Sequence, residues 1–214
     1  MLPIANNSLS SMTLPIDING VKGFLDEQEG AALYHHAVAA AKMGPILEVG
    51  SYCGKSSVYL GTACKLQQNI LFAVDHHRGS EEHQVGEEYH DPDLFDARFS
   101  KMDSFPQFRE TLARANLEDV VVPIVASSAL AARHWSTPLA LVFIDGGHSM
   151  EAALTDYRSW AGHVMRGGLL VIHDVFPNPA DGGRPPHEIW KLAQQSGLFE
   201  ALPLVKSLGI LRRL

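Results

Sequence analysis

A chain of 214 residues, 46% of them hydrophobic, is long enough to bury the core of one domain without help from disulfides or metals. Its net charge of −7 argues against nucleic acid as the main partner, because a phosphate backbone demands a basic surface. The two cysteines, Cys53 and Cys64, are too few and too badly spaced for a disulfide framework or a zinc site, and no uninterrupted apolar run reaches the roughly 18 residues of a membrane span.

Residues 1–20 mix turn formers without sustained periodicity, so the region 1–25 reads as a loose arm or a cover for a partner, ahead of a single domain over 26–214. It lacks a basic region followed by an apolar block, and the expected location is the cytoplasm, with free thiols. The pattern DEQEGAALYHHAVAAAK predicts a helix over 26–42, with acids in its first turn and Gly44-Pro45 as its stop. ILEVG then reads as a short buried strand. KSSVYLGTACKL has helical spacing, and ILFAVD is a second apolar run that ends on Asp75. Strand, helix and strand in this order predict a βαβ unit with a right-handed crossover.

Residues 76–96 break the alternation. They hold seven acidic residues against one basic residue, Arg78, and so carry −6, while the rest of the chain is close to neutral. With four histidines (His76, His77, His83 and His90) but no zinc-type spacing, the segment at about 76–103 is read as a lid-like insertion over a substrate pocket. Alternation then resumes: a helix near 105–116, the strand VVVPIVAS, a short helix SALAARHW, the strand LALVFID, a helix near 150–163 and the strand GLLVIHD. At the end, PHEIWKLAQQSG reads as a helix, while FEALPLVKS and LGILRRL read as two strands joined by a tight turn around 207–209. The expected fold class is α/β: a Rossmann-like, doubly wound, mostly parallel seven-stranded sheet with a C-terminal antiparallel hairpin.

The stretch LEVGSYCGKSS ends in Gly-Lys-Ser, the tail of a phosphate-binding loop, yet only three residues separate Gly50 from Gly54 where that loop needs four. Acids stand at strand end after strand end: Glu48, Asp75, Asp145 and Asp174, with Ser127, Ser128 and His173 among them. Ligands of such sheets bind outside the carboxyl ends of the strands. A triphosphate would meet repulsion there, whereas a cationic ligand with a ribose would not. Asp75, one βαβ step beyond the glycine loop, is where an acid holds ribose hydroxyls.

LEVGSYCGKSS, FAVDHH, LVFIDGGHS and GGLLVIHDVFPNP together resemble class I S-adenosylmethionine-dependent methyltransferases, above all the small bacterial proteins related to macrocin O-methyltransferase. The resemblance covers roughly residues 30–214. It matches Glu48, Gly50 and Gly54 to the family's glycine motif, with Tyr52 standing at the middle glycine. It implies S-adenosylmethionine as cofactor, its methionine part packed on the turn 50–54, its ribose on Asp75 and its adenine flanked by residues 126–128. The cofactor set so implied is Glu48, Gly50, Ser51, Tyr52, Gly54, Ser56, Asp75, His76, Ser127, Ser128 and Asp145.

His148, three residues after Asp145, is the candidate general base, because imidazole titrates near neutrality. Macrocin-type relatives use a histidine in a similar turn, which is what the resemblance implies for His148, with Asp145 beside it. Asp145 and Asp174 end strands that should be neighbours; with His173 they are the candidate ligands of Mg²⁺ or another divalent cation. Arg184, in the turn-rich loop FPNPADGGRPPHE, is a candidate to hold a substrate carboxylate or the cofactor, and Trp135, Trp160 and Trp190 are read as core. The leading expectation is an enzyme that methylates a small molecule, at a hydroxyl oxygen, as a homodimer, with neither nucleic acid nor membrane as partner. The alternatives are a P-loop nucleotide-binding protein, a dinucleotide-dependent oxidoreductase, which lacks its G-x-G-x-x-G, and a non-catalytic cofactor-binding relative.

Overall fold

The computed structural model describes residues 12–80 and 91–214. Among these residues no helix is long and apolar enough to cross a membrane. Asp26 caps α1 (Glu27–Ala40): its carboxylate accepts from the Gln28 N–H while Glu29 reaches back to the Asp26 N–H, a reciprocal capping box that fixes where the helix begins. The arm ahead of it is not loose where it is described. Met12, Leu14, Ile16 and Ile18 pack on the core and Val21 and Leu25 are buried, so these apolar residues serve their own chain, while Phe24 is exposed.

Seven strands form the sheet: β1 (Ile46–Val49), β2 (Leu71–Asp75), β5 (Val121–Val125), β6 (Leu139–Ile144), β7 (Val164–Ile172), β8 (Phe199–Ala201) and β9 (Gly209–Arg213). Their order is β5-β2-β1-β6-β7-β9-β8; the first five run parallel, and β9 pairs antiparallel with both β7 and β8. β1 and β6 are buried along their whole length, which is why both read as continuous apolar runs rather than alternating ones. One face is covered by α1, α2 (Lys55–Leu66) and α3 (Phe105–Arg114), the other by α4 (Ser128–Ala132), α5 (Met150–Trp160) and α6 (Arg184–Gln195). Strand order reverses between β1 and β6, so the loops that leave these two strands open a crevice at that point.

The elements match the sequence expectations with three differences. The hairpin's first strand stops at Ala201, and the tight turn falls at Lys206 and Ser207, closed by a Val205–Leu208 bridge, with Lys206 at φ +52°. β7 starts at Val164, earlier than its apolar run, because Gly168 lets the chain pass the β6 backbone: a Cβ there would lie 2.8 Å from the Ala140 carbonyl oxygen. Within the lid-like segment, residues 91–103 make a small ribbon of β3 (Phe95–Asp96) and β4 (Lys101–Met102), and Leu94 and Met102 are buried against Cys53 of the glycine loop. Residues 81–90, which include His83 and His90, lie outside the described residues. The tryptophans belong to the core as expected: Trp160 is fully buried, with Trp135 edge-on to it at 5.3 Å, and Trp190 packs on the same cluster.

Candidate active site

The loop between β1 and α2 is set by its backbone. Gly50, Tyr52 and Gly54 have φ of +84°, +45° and +92°, so the loop coils through the left-handed region three times within five residues. Asp75 holds it there, one carboxylate oxygen accepting from the N–H groups of Ser51 (3.0 Å) and Tyr52 (2.9 Å) and the other from His77 (2.7 Å). This clamp explains how a tyrosine occupies a position where glycine is the usual residue. Gly50 has no alternative, since a Cβ would fall 2.0 Å from the Asp145 carbonyl oxygen.

Two cavities meet over these strand ends. The larger, about 530 Å³, is lined by Gly50, Tyr52, Asp75, His76, Ser127, Ser128, Asp145 to Ser149 and Asp156. The smaller, about 200 Å³, is lined by Lys22, Phe24 and Leu25 from the arm, by Gly50, Ser51, Tyr52, Lys55 and Ser56 from the loop, and by Asp145, His148, His173 and Asp174. Gly50, Tyr52, Ser80, Asp145, Gly146 and His148 border both, so the junction lies between the ends of β1 and β6.

At the junction the charged groups form one network. His148 Nε2 stands 3.0 Å from Asp174 Oδ2. Asp174 follows β7 with φ +57°, an uncommon conformation for this residue and one of the marks of a functional turn. Burial would raise its pKa, but His148 and His173 outweigh burial and hold it below the ordinary carboxylate value. Behind it, buried His173 donates from Nδ1 to Asp145 (2.9 Å) and from Nε2 to Glu29 of α1 (3.1 Å), and the other Glu29 oxygen accepts from the Ser207 N–H (2.8 Å) and hydroxyl (2.7 Å). Burial opposes a charge on His173, yet Asp145, Glu29 and Asp174 outweigh it and push the pKa up to about 11. His173 is therefore an imidazolium at neutral pH, with both nitrogens protonated and engaged.

Among the described residues, the group whose ligand atoms lie within 4.8 Å of one another is Asp145, His148 and Asp174, so His148 stands where His173 was expected, and both His173 nitrogens are engaged by Asp145 and Glu29. Glu48 also departs from its expected place. It is fully buried beneath the loop, bonded to Ser56 and Ser57, and lines neither cavity. Burial pushes its carboxyl up to about 8, so at pH 7 it is mostly neutral, and the carboxylates that face the cavities are Asp75, Asp145 and Asp174. The hydroxyl of Ser56 is likewise engaged with Glu48. Arg184, at the exposed start of α6, lies 4.0 Å from Glu188 and borders neither cavity.

Gly50, Ser51, Tyr52, Asp75, His76, Ser127, Ser128, Asp145 and His148 line these two cavities, whereas Gly54 lines neither. Four contributors had not been singled out. Glu29 looked like an ordinary acid in a helix's first turn, and only the capping box gave it a fixed orientation. Asp156, on α5, is buried against Gly146, where a Cβ would fall 2.3 Å from its Oδ2, and burial pushes its carboxyl up to about 6. Lys22 and Phe24 come from the arm, whose sequence carries no periodic signal; Lys22 crosses to Asp91 (2.6 Å) and Asp93 (2.8 Å).

A family profile described as a methyltransferase domain matches residues 47–175, from the first strand to just beyond β7. Among solved structures, the chain is similar to an O-methyltransferase from Bacillus cereus in complex with S-adenosylhomocysteine (TM-score 0.60, 15% identity, 89% of this chain and 83% of that one). It is also similar to the S-adenosylhomocysteine-bound methyltransferase PaMTH1 of Podospora anserina (TM-score 0.61, 13% identity, 89% and 80%) and to the O-methyltransferase NovP (TM-score 0.65, 14% identity, 87% and 79%). At such identities the likeness to these structures is one of fold.

Proposed function

The chain belongs to the methyltransferase-domain family, and from that premise we propose an S-adenosylmethionine-dependent methyltransferase that acts on a hydroxyl of a small molecule. The observation that carries this reading is the meeting of two cavities at a single charged junction, one large enough for a nucleoside and one for a small acceptor. The larger fits an adenosine. Asp75 borders it and accepts three N–H bonds, which leaves acceptor capacity for a ribose hydroxyl, and Ser127 and Ser128 lie beyond it. Gly50 fits as well, since only a residue without a side chain lets the loop close on Asp145.

When bound, the cofactor supplies a methyl group on a cationic sulfur. The chain's own part is to hold the acceptor oxygen in line with that methyl group and to take its proton; alignment of this kind reaches effective molarities of about 10⁵ to 10⁸ M. His148 borders both cavities and accepts the hydroxyl proton, and Asp174, 3.0 Å away, stabilises the imidazolium that results. Asp145, fixed by His173, faces the same junction with its carboxylate. A phosphate-binding reading fares worse, because Asp75 and Asp145 line the larger cavity where a polyphosphate would lie.

A second reading has its own support in the Asp145, His148 and Asp174 grouping. Two carboxylates and an imidazole suit a divalent ion that accepts mixed oxygen and nitrogen donors better than they suit Mg²⁺, which favours oxygen alone. In that case Asp145, His148 and Asp174 would hold the ion, whose positive charge would lower the pKa of the acceptor hydroxyl. Release of S-adenosylhomocysteine from S-adenosylmethionine over a panel of hydroxylated aromatic and sugar acceptors, with EDTA or with added Mn²⁺, tests both readings. Turnover insensitive to EDTA supports His148 as base, and turnover that EDTA abolishes and Mn²⁺ restores supports the ion. Absence of turnover across the panel, together with absence of cofactor binding, would overturn the enzyme assignment.

A further inference from the structure

The smaller cavity has in its wall an aromatic side chain that the chemistry above does not use. Phe24 lines that cavity and is 66% exposed, although the residues on either side of it are tied down. Lys22 is held by Asp91 (2.6 Å) and Asp93 (2.8 Å), the Gly23 carbonyl accepts from Lys55 (3.3 Å), and Leu25 is buried in the core. The exposure of Phe24 is therefore built into the arm and does not come from a fraying end. Its ring stands 6.1 Å from that of Tyr52 at an interplanar angle of 35°, and Tyr52 is pinned in turn by the bond from its N–H to Asp75. Two aromatic rings on fixed backbone thus wall a cavity that also carries His148 and Asp174.

A large aromatic side chain left exposed in a cavity wall gains free energy when a second apolar surface covers it, and ring against ring adds to that gain. The space of about 200 Å³ suits a single ring, since a cavity of about 150 Å³ is enough to take benzene. Proton transfer favours an aromatic ring over a saturated one. A phenol gives up its proton with a pKa of about 10, as tyrosine does, whereas an alcohol holds it about as tightly as water, at about 16. An imidazole base is better matched to the phenol. We propose that Phe24 selects the acceptor, and that the acceptor is a hydroxylated aromatic ring seated against Phe24 and Tyr52, in preference to a sugar or an aliphatic alcohol; this inference rests on the methyltransferase reading above.

The test uses two probes of closely similar size, 4-methylphenol and 4-methylcyclohexanol, which differ in whether the ring is aromatic. Each is titrated calorimetrically into the protein loaded with S-adenosylhomocysteine. The expected result is that 4-methylphenol binds about tenfold more tightly than 4-methylcyclohexanol. Phe24→Ala should weaken 4-methylphenol about tenfold. Phe24→Leu, which keeps apolar area but has no ring, should remove most of the preference between the probes, and Phe24→Tyr should retain it. Affinity for S-adenosylhomocysteine should be the same in all three variants, because a side chain this exposed adds little to the fold. Equal affinity for the two probes, or binding of neither to the loaded protein, would overturn the inference. A preference that survives in both Phe24→Ala and Phe24→Leu would also overturn it, as would a fall in S-adenosylhomocysteine affinity that matches the loss of 4-methylphenol. Failure of the unmodified protein to bind S-adenosylhomocysteine at all would overturn the methyltransferase reading itself, a result seen before either probe is added.

Discussion

The loop after β1 and the junction at the ends of β6 and β7 face the same crevice, but they are built on different principles. The loop is held by sterics and backbone: Gly50 leaves no room for a side chain, three residues adopt positive φ, and one carboxylate, Asp75, takes three N–H groups. The junction is held by charge, with His173 fixed between Glu29 and Asp145 and with Asp174 between two histidines. A nucleoside subsite needs shape that does not vary, whereas a proton-transfer site needs groups whose charge responds to what is bound. The contrast predicts that the loop fails by steric change with little dependence on pH, while the junction fails by loss of charge.

The largest expected effect is that of Gly50→Ala. With a Cβ 2.0 Å from a backbone oxygen and φ at +84°, the loop cannot close, and S-adenosylhomocysteine titration should show no measurable binding. Glu29→Ala comes next, since it strips His173 of a buried partner and leaves the Ser207 N–H without an acceptor. Loss of one member of a buried pair costs about 3–5 kcal/mol, to be read from urea unfolding, and Glu29→Gln should recover part of it. His148→Ala should leave fold and cofactor affinity intact and slow methyl transfer by about 10² to 10⁴ fold, as removal of a general base does, measured by S-adenosylhomocysteine release on any acceptor the unmodified protein turns over. Equal loss of cofactor affinity and rate would place His148 in the loop's steric regime instead.

The smallest expected effect is a change of slope. Burial raises the Glu48 carboxyl from 4.5 to about 8, so between these values the folded chain holds a proton that the unfolded chain has lost. Stability therefore falls as pH rises through that window and levels off above about 8, by an amount on the order of a few kcal/mol. Glu48→Gln should flatten the dependence, and thermal unfolding from pH 5 to pH 9 would show it. A Glu48→Gln profile as steep as that of the unmodified chain would mean that Glu48 is ionised in the fold.

The same contrast explains what could be read from the sequence. Strands buried on both sides announce themselves as ILEV and LALVFI, and the glycine spacing with Asp75 one βαβ step later marks the loop, because these signals are local. The junction was legible only in part. Asp145, His148 and Asp174 sit at strand ends and could be named, but the protonation of His173 depends on Glu29, 144 residues away, and on burial that no local pattern encodes. Glu48 misled for a related reason: a carboxylate beside a glycine turn looks available to a ligand, and only the packing of α2 shows that Ser56 and Ser57 turn it inward. Lys22 and Phe24 were invisible because an arm that packs by irregular contacts leaves no period to detect.

The central claim is that the larger cavity is an S-adenosylmethionine site, and calorimetric titration of the purified chain with S-adenosylhomocysteine tests it most directly. The account predicts saturable binding at one site per chain, with no competition from ATP. Absence of binding, or displacement by ATP at comparable concentration, would contradict it and return the Gly50 to Gly54 turn to the phosphate-binding reading.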